Sequence, residues 1–151
     1  MIYGALYSQN DSSHNSKLYS KLGNILNKAP IVQIKNIDCE NNAINVVPKF
    51  CSCTLQFSKS IIIQDVINFL KEKIDNYNYD IDIYKIDDYN LKLSSYGIAA
   101  HSAHPELGTN AISRLLVLLN DLFTRLNTPF HLLSTFCKYI GDNYTGLRTW
   151  D

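Results

Sequence analysis

The stretch Gly97-Ile98-Ala99-Ala100-His101-Ser102-Ala103-His104-Pro105-Glu106-Leu107-Gly108-Thr109-Asn110-Ala111-Ile112 decides how the rest of the chain is read. Just ahead of it, Leu91 and Leu93 alternate with Lys92 and Ser94, the period-two pattern of a half-buried strand. The chain then becomes small and polar, turns through Pro105 to Gly108, and enters a strongly amphipathic helix. Thr109 or Asn110 is placed to cap that helix, because a short polar side chain there can accept from its orphan amides. His101 is thus predicted at the mouth of a strand beside a helix N-terminus, whose amides favour negative charge. A carboxylate or a developing oxyanion suits such a position.

Downstream, the spacing predicts a helix over about Asn110 to Leu126. Ile112, Leu115, Leu116, Leu119, Leu122, Phe123 and Leu126 share one face, which Val117 and Leu118 widen. So broad an apolar surface is either deeply buried or shared with a partner. Asn127-Thr128-Pro129 ends this helix, and a second follows from Pro129 to Ile140, with His131 on its surface or boundary.

Upstream, Asp75 to Asp88 alternates Tyr and Ile with Asp and Asn, which reads as a strand with a solvated acidic face rather than an acidic metal site. Asp87-Asp88 turns it into the Leu91–Leu93 strand as a hairpin. Ser60 to Ile74 reads as a helix with an apolar stripe at Ile63, Val66, Ile67, Leu70 and Ile74, and with Lys71 and Lys73 in its last turn. Cys51 to Phe57 is a strand that puts Cys51, Cys53, Leu55 and Phe57 on one face. That alternation makes the Cys-x-Cys pair small apolar packing, since no second ligand pair follows at zinc spacing. Ile31 to Ile37 is a further strand. Between the two strands Pro48 biases Val47 to extended geometry, which leaves Asn45 as an Asx-turn residue or as a displayed polar group.

The order strand, strand, helix, hairpin, helix, helix predicts an α+β two-layer sandwich, an antiparallel sheet with helices on one face. Residues 1–29 read as a mobile N-terminal segment with a short helix over Lys17 to Asn27. His14 sits in its polar loop, where a solvated surface histidine is favoured over a metal or triad role. Residues 30–145 form the domain, and 146–151, with Trp150, a frayed C-terminus.

Across 151 residues, 14 basic and 14 acidic side chains balance, so no long-range field steers nucleic acid or an anionic membrane to the chain. No run approaches the roughly twenty apolar residues that span a bilayer, and Met1 to Tyr7 is too short for a signal peptide. A cytoplasmic protein is expected, with Cys39, Cys51, Cys53 and Cys137 as reduced thiols.

Three segments carry a resemblance. Ala99-Ala100-His101-Ser102-Ala103, Pro105-Glu106-Leu107-Gly108 and Asn110-Ala111-Ile112 resemble a signature in the lid, or dimerisation, domain of the di-zinc aminoacylase, carboxypeptidase and dipeptidase family of metallopeptidases. Asn45-Val46-Val47-Pro48 resembles a second element of that lid, and Tyr139-Ile140-Gly141-Asp142 its tail. Bacterial dipeptidases that take Xaa-His and related substrates look most similar. The resemblance spans about residues 30 to 145 and implies a ferredoxin-like lid without the catalytic domain. It further implies that His101 reaches into an active site, of its own chain or of a dimer mate, and hydrogen-bonds the carbonyl oxygen as it becomes an oxyanion. Asn45 would contact the dipeptide substrate, and Asn110 would cap its helix or do likewise, while Gly108 would serve the turn.

By the same resemblance, both zinc ions belong to the absent catalytic domain. Hydrolysis with two metals needs several carboxylate and histidine ligands and a carboxylate base. His101 and His104 have an i, i+3 spacing that would suit a helix, but Pro105 follows at once and no third ligand is near. The expectation is a chain that binds no metal and is inactive alone. The alternatives are a stand-alone dimerisation module that keeps the lid fold, forming a homodimer, and a regulatory domain that binds amino acids. For His101, the competing reading is a buried histidine satisfied by backbone.

Overall fold

The computed structural model describes residues 30–39, 45–58 and 61–143. The expectations for 1–29, including His14 and the helix over 17–27, and for the 146–151 end lie outside these residues.

Four strands form one antiparallel sheet: β1 (Val32–Cys39), β2 (Phe50–Phe57), β3 (Ile81–Lys85) and β4 (Asn90–Tyr96), in the spatial order β1-β2-β4-β3. Helix α1 (Ile63–Tyr77) follows β2, and α2 (Ala111–Arg125) and α3 (His131–Tyr139) close the chain. The fold is a small α+β sandwich. Because β4 lies antiparallel to both neighbours, β2 and β3 run parallel with one strand between them, joined by α1. This is the split β-α-β unit of ferredoxin-like domains. The position beside β2 is filled by β1, which precedes the unit in sequence.

The inner sheet face follows the expected period of two. Cys51, Cys53, Leu55 and Phe57 of β2 are all buried, beside Leu91 and Leu93 of β4. Onto them fold the five predicted residues of α1 (Ile63, Val66, Ile67, Leu70, Ile74) and the broad face of α2. Leu118, Leu119 and Leu122 are fully buried, each worth roughly 1.5–3 kcal/mol relative to exposure. The width of the α2 face is therefore used by the chain itself. Desolvation in this core pushes the Cys53 thiol up to about 12.

Several boundaries differ from the sequence reading. Helix α1 runs one turn past Ile74 and stops at Asn78, which takes a left-handed conformation with φ 52° and donates its N–H to Asp75 and Ile74 carbonyls. Lys71 and Lys73 therefore do not occupy its last turn. Of the Asp75 to Asp88 stretch, only Ile81–Lys85 is strand; its first residues belong to α1. The Asp87 turn is as expected: its carboxylate accepts from the Tyr89 N–H at 2.7 Å and from Asn90 Nδ2, which lowers its pKa. The chain just beyond α3 is also held, since Gly141 is buried and Tyr79 Oη donates to Asp142 at 2.5 Å. Among the described residues, no helix is long and apolar enough to cross a membrane.

β1 carries a bulge. Ile34 faces Leu55, but Asn36 faces Thr54, so Lys35 is an extra residue and every later pairing shifts by one.

Candidate functional site

Beyond the end of β4 the chain leaves the sheet and builds a small ladder of its own. The Gly97 N–H donates to the Lys49 carbonyl, and Ile98 and Thr109 exchange both backbone hydrogen bonds, at 3.0 and 2.8 Å. On the other side, Val47 N–H donates to Ala100 O and Ser102 N–H to Asn45 O, both at 2.8 Å, around a Val46–His101 bridge. The Ala111 N–H, first of α2, donates to Pro48 O at 2.9 Å. Segments 45–49, 97–102 and 109–111 are thus stitched together, and the two sequence motifs become neighbours.

Close approach of three backbones leaves no room for side chains at the two glycines. A Cβ on Gly97 would stand 2.0 Å from the Thr109 carbonyl oxygen, and one on Gly108 would stand 2.8 Å from Ala100 Cβ and 2.9 Å from Ile98 O. Gly108 itself is extended, with φ −110° and ψ 172°. It therefore serves this contact rather than the turn geometry expected of it. The preceding Pro105–Leu107 forms a short 3-10 turn.

His101 is exposed, which sets aside the buried reading. Its Nδ1 accepts from the Ala103 N–H at 3.1 Å, and its Nε2 faces Asn45 Nδ2 at 3.2 Å. With Nδ1 acting as acceptor, the neutral ring carries its proton on Nε2. An imidazole N–H and a carboxamide are therefore neighbours at one exposed position. Such a pair can share a single acceptor oxygen, or rest by turning the Asn45 oxygen towards Nε2–H.

The remaining candidates take other places. Asn110 is the N-cap of α2: its Oδ1 accepts from Ile112 and Ser113 N–H at 3.0 and 3.2 Å. It also lines a cavity of about 290 Å³ with Thr109, Arg114 and Asp142, in whose walls neither Asn45 nor His101 takes part. His104 does not share a helix with His101. It follows a turn, and its Nδ1 lies 3.2 Å from Glu106 Oε1, with both side chains exposed. His131 is exposed at the start of α3.

A zinc ion needs several donors aimed at one point. Here the two nitrogens of His101 face an amide and a backbone N–H, and His104 faces its own neighbour, Glu106. As placed, His101 and His104 do not converge on a common position, so these residues do not fit the metal site of a hydrolase. Among the described residues there is no group of three or more His, Cys, Asp or Glu side chains placed to hold a metal.

The sequence reading missed how Asn45 and His101 relate. Each was a candidate by itself; that they touch depends on the Val46–His101 bridge, which no local pattern signals. No protein-family model matches the chain, and no curated protein matches it.

Proposed function

We propose that this chain is the lid, or dimerisation, domain of a cytoplasmic di-zinc metallopeptidase that hydrolyses dipeptides. The observation that carries this reading is the meeting of Asn45 with His101, because it joins the two motifs whose resemblance suggested the family at one exposed point. The chemistry is that of an oxyanion donor. When water adds to the scissile peptide bond, the carbonyl oxygen gains negative charge, and a preorganised N–H aimed at it lowers the barrier. His101 donates from Nε2, held in that tautomer by the Ala103 N–H on Nδ1. Asn45 adds its own N–H to the same oxygen or to the neighbouring part of the substrate, and Asn110 serves as helix cap. The zinc ions and the general base belong to a separate catalytic domain.

A second reading, a stand-alone dimerisation module, is favoured by α3 and the turn before it, where Leu132 is 67 % and Phe130 44 % exposed. One experiment separates the two. The chain is combined with the catalytic domain of a di-zinc dipeptidase whose lid has been deleted, and zinc-dependent dipeptide hydrolysis is measured for each part and for the mixture. The lid reading expects activity only in the mixture and its loss with His101→Ala. Activity in this chain alone, with stoichiometric bound zinc, overturns it; so does a silent mixture in which the chain forms a stable homodimer.

A further inference from the structure

We propose that Cys39 and Cys51 are a site of oxidative modification, closing a reversible disulfide across strands β1 and β2. The two residues are direct partners in the antiparallel register, with their Sγ atoms 2.9 Å apart. Residues directly opposite on antiparallel strands have Cα atoms about 4.5–5.5 Å apart, inside the roughly 4.4–6.8 Å that a disulfide spans. The bond, at about 2.04 Å, requires the sulfurs to approach by less than one further ångström, and no strand has to move. Cys53 faces Ile37 in the same register, and Cys137 lies on α3.

The bulge in β1 creates this pair. Before it, partners sum to one register (Val32 with Phe57, Ile34 with Leu55); continued unchanged, that register would set Cys39 opposite Phe50. The extra residue, Lys35, moves every later partner by one and brings the two sulfurs onto the same face.

Access is asymmetric. Cys39 is half-buried on an edge strand, while Cys51 is enclosed. With a peroxide as oxidant, the Cys39 thiolate attacks the O–O bond, becomes a sulfenic acid and releases hydroxide, which leaves as water. The Cys51 sulfur then displaces the sulfenic oxygen, giving up its proton, and a second water leaves. In sum, two thiols and one hydrogen peroxide give one disulfide and two waters, a two-electron exchange, and a dithiol reverses it. The bond encloses residues 39–51, so the segment that carries Asn45 becomes a closed loop. The formation of the bond does not depend on the function proposed above.

The test uses the reduced chain with equimolar hydrogen peroxide, followed by alkylation with N-ethylmaleimide and mass measurement. Two of the four thiols should escape alkylation and return with dithiothreitol. Trypsin should release residues 36–49 joined to residues 50–59, and fragmentation should place the bond on Cys51. Cys39→Ser should abolish the link, and Cys137→Ser should leave it unchanged. Four alkylated thiols, oxygen added without a cross-link, a bond placed on Cys53, or cross-linking only between separate chains would each overturn the proposal.

Discussion

Asn45 and His101 stand 56 positions apart, yet their side-chain nitrogens meet at 3.2 Å because the backbones that carry them are bridged at Val46 and His101. Neither side chain is buried, so neither contributes much to stability; what the fold invests in is their placement. In the mixed enzyme described above, His101→Ala should lower turnover by about 10²–10³-fold, the cost of losing one oxyanion donor. The same variant should change the stability of this chain by no more than about 0.5 kcal/mol, as exposed substitutions do. Steady-state kinetics beside a urea denaturation curve checks both halves. Unchanged turnover would remove the donor role.

Gly97 tests the ladder itself. An alanine there sets a methyl group 2.0 Å from the Thr109 carbonyl oxygen and 3.0 Å from the Ala111 nitrogen, both backbone atoms that cannot swing aside. Gly97→Ala should destabilise the chain by about 1–3 kcal/mol, the usual cost of overpacking. Gly108→Ala should cost less, because its tightest contacts, 2.8 Å to Ala100 Cβ and 2.9 Å to Ile98 O, are less severe than the 2.0 Å at Gly97. A urea midpoint for Gly97→Ala equal to wild type would show that the ladder opens readily.

Asn110 separates capping from substrate contact. Asn110→Ala leaves two α2 amides without their acceptor and should cost about 1 kcal/mol, while Asn110→Asp and Asn110→Ser should retain most of the stability. If the residue acts only as a cap, the Asp and Ser variants also retain turnover in the mixed enzyme. Thermal melts and kinetics on the three variants decide the matter.

Tyr79 links the start of β3 to the chain after α3, and it makes stability depend on pH. Burial and the Asp142 carboxylate that accepts its hydroxyl both raise its pKa, more than the nearby Arg114 lowers it. A raised folded-state pKa favours the protonated phenol. Its contribution is therefore complete below the unfolded value of about 10 and is lost as pH rises above it. Tyr79→Phe should be less stable than wild type at pH 7 by about 1 kcal/mol, and the gap should narrow above pH 10. Urea midpoints of both proteins from pH 7 to 11 check this, and a constant gap would show that the Tyr79 pKa is not raised by folding.

Much of this architecture is legible in the chain because burial imposes a period. The stripe of α1, the width of α2 and the alternation of β2 are core-facing patterns, and each selects the residues found inside. Boundaries are less legible where the signal is polar. Asp75, Asn76 and Tyr77 continue α1 without adding to its stripe, and Asn78 ends it in a conformation usually signalled by glycine. Gly108 was readable as necessary but not for the right reason, since its constraint comes from Ala100 and Ile98 and not from its own dihedral angles. The Cys39–Cys51 pair was beyond reach, because it depends on where β1 inserts one residue. Register of this kind is set by the packing of both strands together, not by either sequence alone.

The ladder outside the sheet has a consequence for how such motifs are recognised. Its hydrogen bonds from Gly97, Val47, Ser102 and Ala111 all run between the 45–49 segment and the 97–111 segment. A synthetic peptide of residues 97–112 would carry the His101 motif without the four bonds that hold it against the Asn45 segment. The pairing of Asn45 with His101 is a property of two distant stretches folded as one body, so it disappears whenever either stretch lets go.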